Sequence, residues 1–258
     1  MMTLNEGDGG TNISPIDYYS SLRLESIEIK FYEHPKLGEL TLIASLPDMG
    51  RVGGLVPKFL IEHLNAKLFA ELYSFDKPYV LSKNGLISHF PSVYKFYYSK
   101  RGELVIMTGE EQPRAVPELY ELCNTVLDIT QKVGKIKRLY TTGGYQREKL
   151  VGEPRVFGVA NQASLLRELD RIGIREMGSE ISSITWFNGL ILGVGLVRKI
   201  EGIGLYGEID NPHIPQPDAA RSVLKAIVTL LSLPQIDARK ISDDDTSPSD
   251  PSSENIRV

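Results

Sequence analysis

The sequence is poor in cysteine and lacks a long apolar run. Its only cysteine, Cys123, rules out an intrachain disulfide and favours a reducing compartment. The longest apolar stretch, Phe187 to Val197, is far shorter than the roughly 20 residues that a membrane span needs. The N-terminus has neither the basic start nor the apolar centre of a signal peptide. We therefore expect a cytoplasmic protein that does not bind membranes.

Residues that could catalyse a reaction or hold a metal ion are sparse and scattered. Cys123 sits in the helical pattern VPELYELCNTVLDIT, which favours a small core residue over a nucleophile. The four histidines have neither helical pair spacing nor cysteine partners: His34, His63, His89 and His213. No G-x-S-x-G motif offers a hydrolase nucleophile. The sequence thus predicts no catalytic residue, no metal site and no cofactor.

Charge is unevenly distributed along the chain. The formal net charge is -4, and residues 236–258 hold six acids and three bases, so the remainder is nearly neutral. A neutral body gives no electrostatic reason to expect nucleic acid as a partner. Composition predicts a disordered N-terminal tail over residues 1–16 and a flexible acidic tail over residues 236–258. One domain, residues 17–235, lies between them.

Strand-like and helix-like segments alternate through that domain. KLFAELYS is typical of a strand, and apolar residues at 3–4 spacing predict a helix over Val116–Gln131. KRLYTT predicts a short strand ending before a Gly143-Gly144 turn, and Asn161 is a candidate cap for a helix over 162–172. Strands separated by helices of this length favour parallel pairing. The fold class is therefore α/β: three α/β/α layers with a mixed, mostly parallel sheet.

A glycine-rich turn follows the strand ELTLIAS. Its letters Asp48-x-Gly50-x-x-Gly53 lack the first glycine of a dinucleotide fingerprint, and no Walker lysine follows. Asp48 would repel a bound anion, although Arg51 could offset it. We interpret the turn as structural, with a small-ligand site and a nucleotide site as alternatives. Its candidate ligand-loop residues are Gly50, Arg51, Gly53 and Gly54.

Two other loops follow strands and are candidates for the same kind of site. TGEEQPR carries Glu110, and TTGGYQREKL carries Gly143, Gly144 and Tyr145. The carboxyl ends of strands are where open α/β sheets bind ligands. We interpret the first loop as solvated charges and the second as ordinary turn geometry, with a ligand role as the alternative for both.

An apolar segment with several glycines, ITWFNGLILGVGLV, predicts a helix containing the only tryptophan. Glycine inside a helix costs about 1 kcal/mol relative to alanine, so close packing should offset it. That packing could lie within the core or at a subunit interface. The candidate interface residues are Trp186, Asn188, Gly189 and Gly193.

Five separated blocks share their order with a known family. They are LPDMGRVGGLVPKFLIEHLNAKLFAELYS, LVIMTGEEQP, LYTTGGYQREKLVGEPRVFGVA, NGLILGVGLVRKIEGIGLYGEI and PDAARSVLKAIVTLL. Together they resemble the archaeal and bacterial branch of the proteasome assembly chaperone 2 family. The match covers about residues 25 to 233, and Asp48 stands where the family has a glycine after Pro47.

The resemblance implies a fold similar to nucleoside phosphorylases and peptidyl-tRNA hydrolases. It also implies a non-enzymatic homo-oligomer that engages proteasome α-subunits or related assembly factors. Some members end in a hydrophobic–tyrosine–any tripeptide that docks between α-subunits. This chain ends Ile256-Arg257-Val258, with arginine in place of tyrosine. Two other functions stay open: a nucleotide- or nucleoside-like ligand-binding protein or enzyme, and a scaffold that only self-associates.

Overall fold

The computed structural model describes residues 27–241, except 76, 78, 151, 179, 180 and 235. The predicted N-terminal tail and residues 242–258 of the predicted C-terminal tail lie outside this range. Within it, Ala238 and Ile241 are buried against the body, and Arg221 Nη2 donates to the Ile241 carbonyl at 2.7 Å. The extents of the two tails stay predictions.

Eleven strands and five α-helices make up the described part of the chain. The strands are β1 (Ile27–Phe31), β2 (Glu39–Ala44), β3 (Lys67–Ser74), β4 (Leu81–Lys83), β5 (Leu86–Ser88), β6 (Ser92–Ser99), β7 (Leu104–Gly109), β8 (Lys135–Gln146), β9 (Val156–Ala160), β10 (Arg175–Glu176) and β11 (Glu201–Ile209). The helices are α1 (Val52–His63), α2 (Val116–Gln131), α3 (Ala163–Arg171), α4 (Trp186–Val197) and α5 (Pro217–Leu230). Short 3₁₀ turns span Met49–Arg51 and Ala238–Lys240.

Nine of the strands form one mixed sheet. Their order is β1-β3-β6-β7-β2-β8-β11-β9-β10, and β4 pairs with β5 in a separate hairpin. The pairs β7-β2, β2-β8, β8-β11 and β9-β10 are parallel, whereas the other four are antiparallel. The expected α/β/α class is confirmed, but "mostly parallel" overstated the parallel share. The meander β3, β6 and β7, with β1 added at its edge, supplies three of the antiparallel pairs.

Helices cover both faces of the sheet, because side chains alternate along its strands. Leu42 points to the face covered by α2 and α4, and the next residue, Ile43, points to the face covered by α1, α3 and α5. Each face buries its own apolar cluster, which gives the two cores of a three-layer domain. Cys123 is fully buried in the first cluster, where burial raises the pKa of its thiol to about 12.

Two local predictions were wrong for reasons of tertiary packing. Strand β8 does not end before Gly143 but runs on to Gln146, paired along its length with β11. Asn161 does not cap α3, which begins at Ala163 without a side-chain cap bond. Its amide instead accepts from Gly202 N at 2.8 Å and donates to the Ile200 carbonyl at 2.9 Å, and so ties β9 to the start of β11.

Candidate functional site

A cleft opens at the carboxyl edge of the central parallel strands. Because β2, β7 and β8 run parallel, the loops that follow β2 and β7 meet the end of β8 at the same edge. The cleft has a volume of about 720 Å³, within the usual range for ligand sites. Its fourth wall is the segment leading into α4, including Met177, Ile184 and Trp186.

Six of the predicted site residues line this cleft, although they come from four separate segments. They are Arg51, Glu110, Gly144, Tyr145, Trp186 and Asn188. The other predicted glycines do not line it: Gly50, Gly53, Gly54, Gly143, Gly189 and Gly193. The tripeptide Ile256, Arg257 and Val258 lies outside the described residues. The structure thus brings the three predicted strand-end loops together, with the start of α4 beside them.

The carboxylate of Asp48 holds the floor of the cleft together. Its Oδ1 accepts from Gly53 N at 2.9 Å in the first turn of α1, and its Oδ2 accepts from Gly144 N at 2.7 Å near the end of β8. Backbone N–H groups at a helix N-terminus are the donors that phosphates commonly use. Here the protein's own carboxyl group takes one such donor, the N–H of Gly53. Burial nevertheless raises the pKa of Asp48 to about 7, against the effect of these donors, which lower it.

Glycines allow this carboxylate and its turn to lie directly on β8. A Cβ at Gly143 would come 2.5 Å from Asp48 Oδ2, and one at Gly144 would come 2.3 Å from the Met49 carbonyl oxygen. Gly50 has φ 67°, a conformation that glycine adopts at little cost. The paired glycines in β8 therefore make room for the turn that follows β2 rather than ending the strand.

Two side-chain amides fasten the loop after β2 to the start of α4. Asn188 exchanges two hydrogen bonds with the backbone of Leu46, each 2.9 Å long. Gln112 Nε2 donates to the Pro47 carbonyl and Gln112 Oε1 accepts from Phe187 N, also at 2.9 Å. Asn188 is only 3% exposed, and both the oxygen and the NH₂ group of its amide serve this internal connection. The loop after β2, the loop after β7 and the start of α4 are thereby held in fixed positions.

Trp186 is the large aromatic residue at the cleft's mouth. It is 51% exposed and has φ 61°, which is unusual for a bulky residue and costs on the order of 1–3 kcal/mol. Backbone strain of this kind concentrates at functional sites. Apolar Met49 and Ile184 also line the cleft, together with charged Arg51 and Glu110. An exposed aromatic with charged neighbours is typical of a surface that binds another protein.

The glycines of α4 differ in what surrounds them. A Cβ at Gly189 would come 2.4 Å from the Ile184 carbonyl oxygen, so this glycine is needed for packing within the chain. At Gly193 a Cβ would meet nothing within 4 Å. The predicted interface segment therefore contains one position that packs against the preceding segment and one that faces open space.

Sequence reasoning missed the central residues of this floor. The sequence shows Asp48 only as an acid that opposes phosphate binding, and it indicates no role for Gln112. The available signal for Asp48 was its position as the one acid in the glycine-rich segment LPDMGRVGG. In the described part of the chain, no group of three or more His, Cys, Asp and Glu residues could hold a metal ion. Nor does any helix in that part have the length and apolarity to cross a membrane.

Together, the fold and the cleft define a class of protein: a three-layer α/β/α domain whose strand-end cleft contains the Asp48 carboxyl group and an exposed aromatic residue. The chain belongs to the PAC2 family, whose model matches residues 42–246. This match confirms the resemblance to the proteasome assembly chaperone 2 family.

Several relatives show how far the similarity extends. PbaB of Pyrococcus furiosus, an archaeal proteasome activator, is 31% identical with a TM-score of 0.74, covering 86% of this chain and 95% of that one. PbaA of the same organism, an archaeal homolog of proteasome-assembly chaperone, shares the fold at 20% identity and a TM-score of 0.67, over 81% and 88% of the two chains. An uncharacterized protein of Methanocaldococcus jannaschii is 29% identical over 192 residues, 73% of this chain and 72% of that one.

Proposed function

We propose that this protein is a non-enzymatic, cytoplasmic chaperone-type factor that binds proteasome α-subunits, or assembly factors related to them, as a homo-oligomer. The observation that carries the proposal is the 31% identity to PbaB across 95% of that chain. The cleft supports it, because the Asp48 carboxyl already accepts from Gly53 N at the start of α1 and from Gly144 N, and Trp186 offers an aromatic anchor. The C-terminal residues Ile256, Arg257 and Val258 are proposed as a second contact.

A binding assay with immobilised archaeal proteasome α-subunits tests this proposal. The full chain is expected to bind, and Trp186→Ala is expected to weaken binding at least tenfold, about 1.4 kcal/mol, because buried aromatic anchors dominate interface energies. Tyr120 is 50% exposed, close to the 51% of Trp186, but lies outside the cleft. Tyr120→Ala is therefore the matched control and should change the affinity less than twofold.

A shortened chain without residues 242–258 separates the cleft from the tail. If it binds as the full chain does, the cleft is sufficient; if it loses affinity while Trp186→Ala does not, the tail carries the contact. Failure of both the full and the shortened chain to bind α-subunits would refute the proposed function.

The cleft's volume of about 720 Å³ favours a second candidate, binding of a nucleotide- or nucleoside-like molecule through Arg51, Glu110 and Tyr145. A thermal-shift series with nucleotides, nucleosides and inorganic phosphate distinguishes the two. A true ligand at 100 times its dissociation constant would stabilise the fold by about 2.7 kcal/mol. We expect no shift, because Asp48 holds the phosphate-type donors. A saturable shift that is lost in Arg51→Ala would favour the second candidate.

A further inference from the structure

Strand β1 forms the longer of the two edges of the nine-stranded sheet. It pairs with β3 on one side, whereas the other edge strand, β10, has only two residues. Tyr32 N donates to the Phe69 carbonyl across the β1-β3 pair at 2.8 Å. Since N–H groups alternate in direction along a strand, those of Ile27, Ile29 and Phe31 point away from β3. Within the part of the chain that the structure describes, no strand pairs with this outer side, so the edge offers a row of backbone donors and acceptors to another strand.

The side chains of β1 alternate between apolar and charged residues. Ile27 and Phe31 pack against the core cluster beneath α2 and α4. Ile29 lies between them and is 36% exposed. Glu28 and Lys30 are exposed and, two residues apart, point to the opposite face. The sequence IEIKF thus carries one negative and one positive charge placed symmetrically about Ile29.

The charged face continues a row of alternating charge across the sheet. Lys30 lies opposite Glu71 on β3, and Glu71 lies opposite Lys95 on β6. Lys95 Nζ is 3.8 Å from Glu71 Oε1, while Tyr32 and Tyr73 donate to Glu71 Oε2 at 2.6 and 2.5 Å. The row reads positive, negative, positive from β6 to the edge. A strand added beyond β1 would continue it with a negative residue opposite Lys30.

We propose that β1 pairs antiparallel with β1 of a second copy, with the twofold axis passing through Ile29. In this register Ile29 faces its own copy, Ile27 faces Phe31, and Glu28 faces Lys30 twice. A register centred on Glu28 or Lys30 would place like charges directly opposite each other, which destabilises a pair. A shift of the partner strand by one residue would put its charged side chains on the apolar face. Among registers that satisfy both patterns, the Ile29-centred one pairs all five residues of β1.

A second copy is the occupant that this edge fits, because the strand is complementary to itself. An isologous contact of this kind requires the same patch on both partners, and IEIKF supplies both halves of each charge pair. The pairing would join two nine-stranded sheets into one continuous sheet. The β1-β1 pairing would be the contact that forms the homo-oligomer of the proposed function. The pairing itself requires no proteasome partner.

A charge-swap series followed by light scattering tests the pairing. The wild type is expected at a multiple of its 28.7 kDa chain mass. Glu28→Lys and Lys30→Glu each put like charges opposite each other, so each should reduce the mass at least twofold. The double variant restores opposite charges and should recover the wild-type mass. An equimolar mixture of the two single variants should associate with each other.

The control addresses the contact that Lys30 makes within its own chain. Lys95→Glu changes the other lysine beside Glu71 but does not reach the edge, so it should keep the wild-type mass. Circular dichroism on every variant confirms that β1 stays folded. A monomeric wild type, or a double variant no better associated than the singles, would overturn the pairing. Either result leaves the α-subunit binding assay to decide the proposed function by itself.

Discussion

Replacing Gly53 with alanine is expected to destabilise the protein by about 3 kcal/mol, near the upper end for overpacked sites. A Cβ at this position would lie 2.3 Å from the Leu46 carbonyl oxygen, 2.7 Å from Asn188 Nδ2 and 2.9 Å from the Thr142 carbonyl oxygen. Leu46 and Asn188 are hydrogen-bonded to each other, so neither can move without breaking the connection between β2 and α4. The helix would have to shift away from the sheet.

The adjacent Gly54 provides the matched control. A Cβ there would meet only the Pro47 ring, at 3.0 Å, and alanine in a helix is favoured by about 1 kcal/mol over glycine. Gly54→Ala should therefore lie within about 1 kcal/mol of the wild type. Urea unfolding followed by far-ultraviolet circular dichroism measures both variants. Equal stability of the two variants would show that the floor of the cleft is not rigidly packed.

The parts of the fold that depend on local periodicity could be predicted from the sequence. The helix Val116–Gln131 and the strand Lys67–Ser74 have the predicted bounds, because their apolar residues follow helical and strand spacing. The turn between β4 and β5 has Asn84 and Gly85 at positive φ, the residue pair that hairpin turns of this kind prefer. In these segments the preference of the residues agrees with the packing that surrounds them.

The predictions that failed concern residues whose conformation is set by distant partners. Glycine pairs usually mark turns, but Gly143 and Gly144 lie within β8 because the turn after β2 rests on them. Asn161 is a good cap by its type, yet its amide bonds to β11 and its preceding loop instead. Neither outcome follows from the neighbouring letters.

The same distinction applies to the cleft. The sequence predicted that the loops after β2 and β7 and the end of β8 lie together, because the ends of parallel strands meet at one edge of a sheet. The role of Asp48 could not be predicted, since its partner Gly144 is 96 residues away in sequence. Read locally, an acid in a glycine turn only argues against an anion. In the folded chain its carboxyl group itself accepts from the N–H groups of Gly53 and Gly144.

This bond pattern makes stability depend on pH in an unusual direction. Asp48 has an ordinary pKa of 3.8, which burial raises to about 7 in the folded protein. Between these values the folded state binds more protons than the unfolded state, so stability should fall as pH rises from 4 to 7. The contribution is on the order of 4 kcal/mol, at 1.36 kcal/mol per pKa unit. Paired carboxylates such as Glu208, whose pKa is lowered, act in the opposite direction at more acidic pH.

Asp48→Asn isolates this effect, because asparagine has nearly the same shape but does not titrate. At pH 4 the variant should be less stable than the wild type by about 1–3 kcal/mol, since its NH₂ group faces one of the two backbone donors. As pH rises to 7.5 the difference should shrink and then reverse in sign, because only the wild type loses stability, on the order of 4 kcal/mol, from the ionisation of a buried carboxyl. Urea unfolding at half-unit pH intervals measures the difference, with Asp170→Asn at an exposed position as the matched control. A difference that stays constant from pH 4 to 7.5 would mean that Asp48 is ionised throughout and that its two N–H donors outweigh its burial.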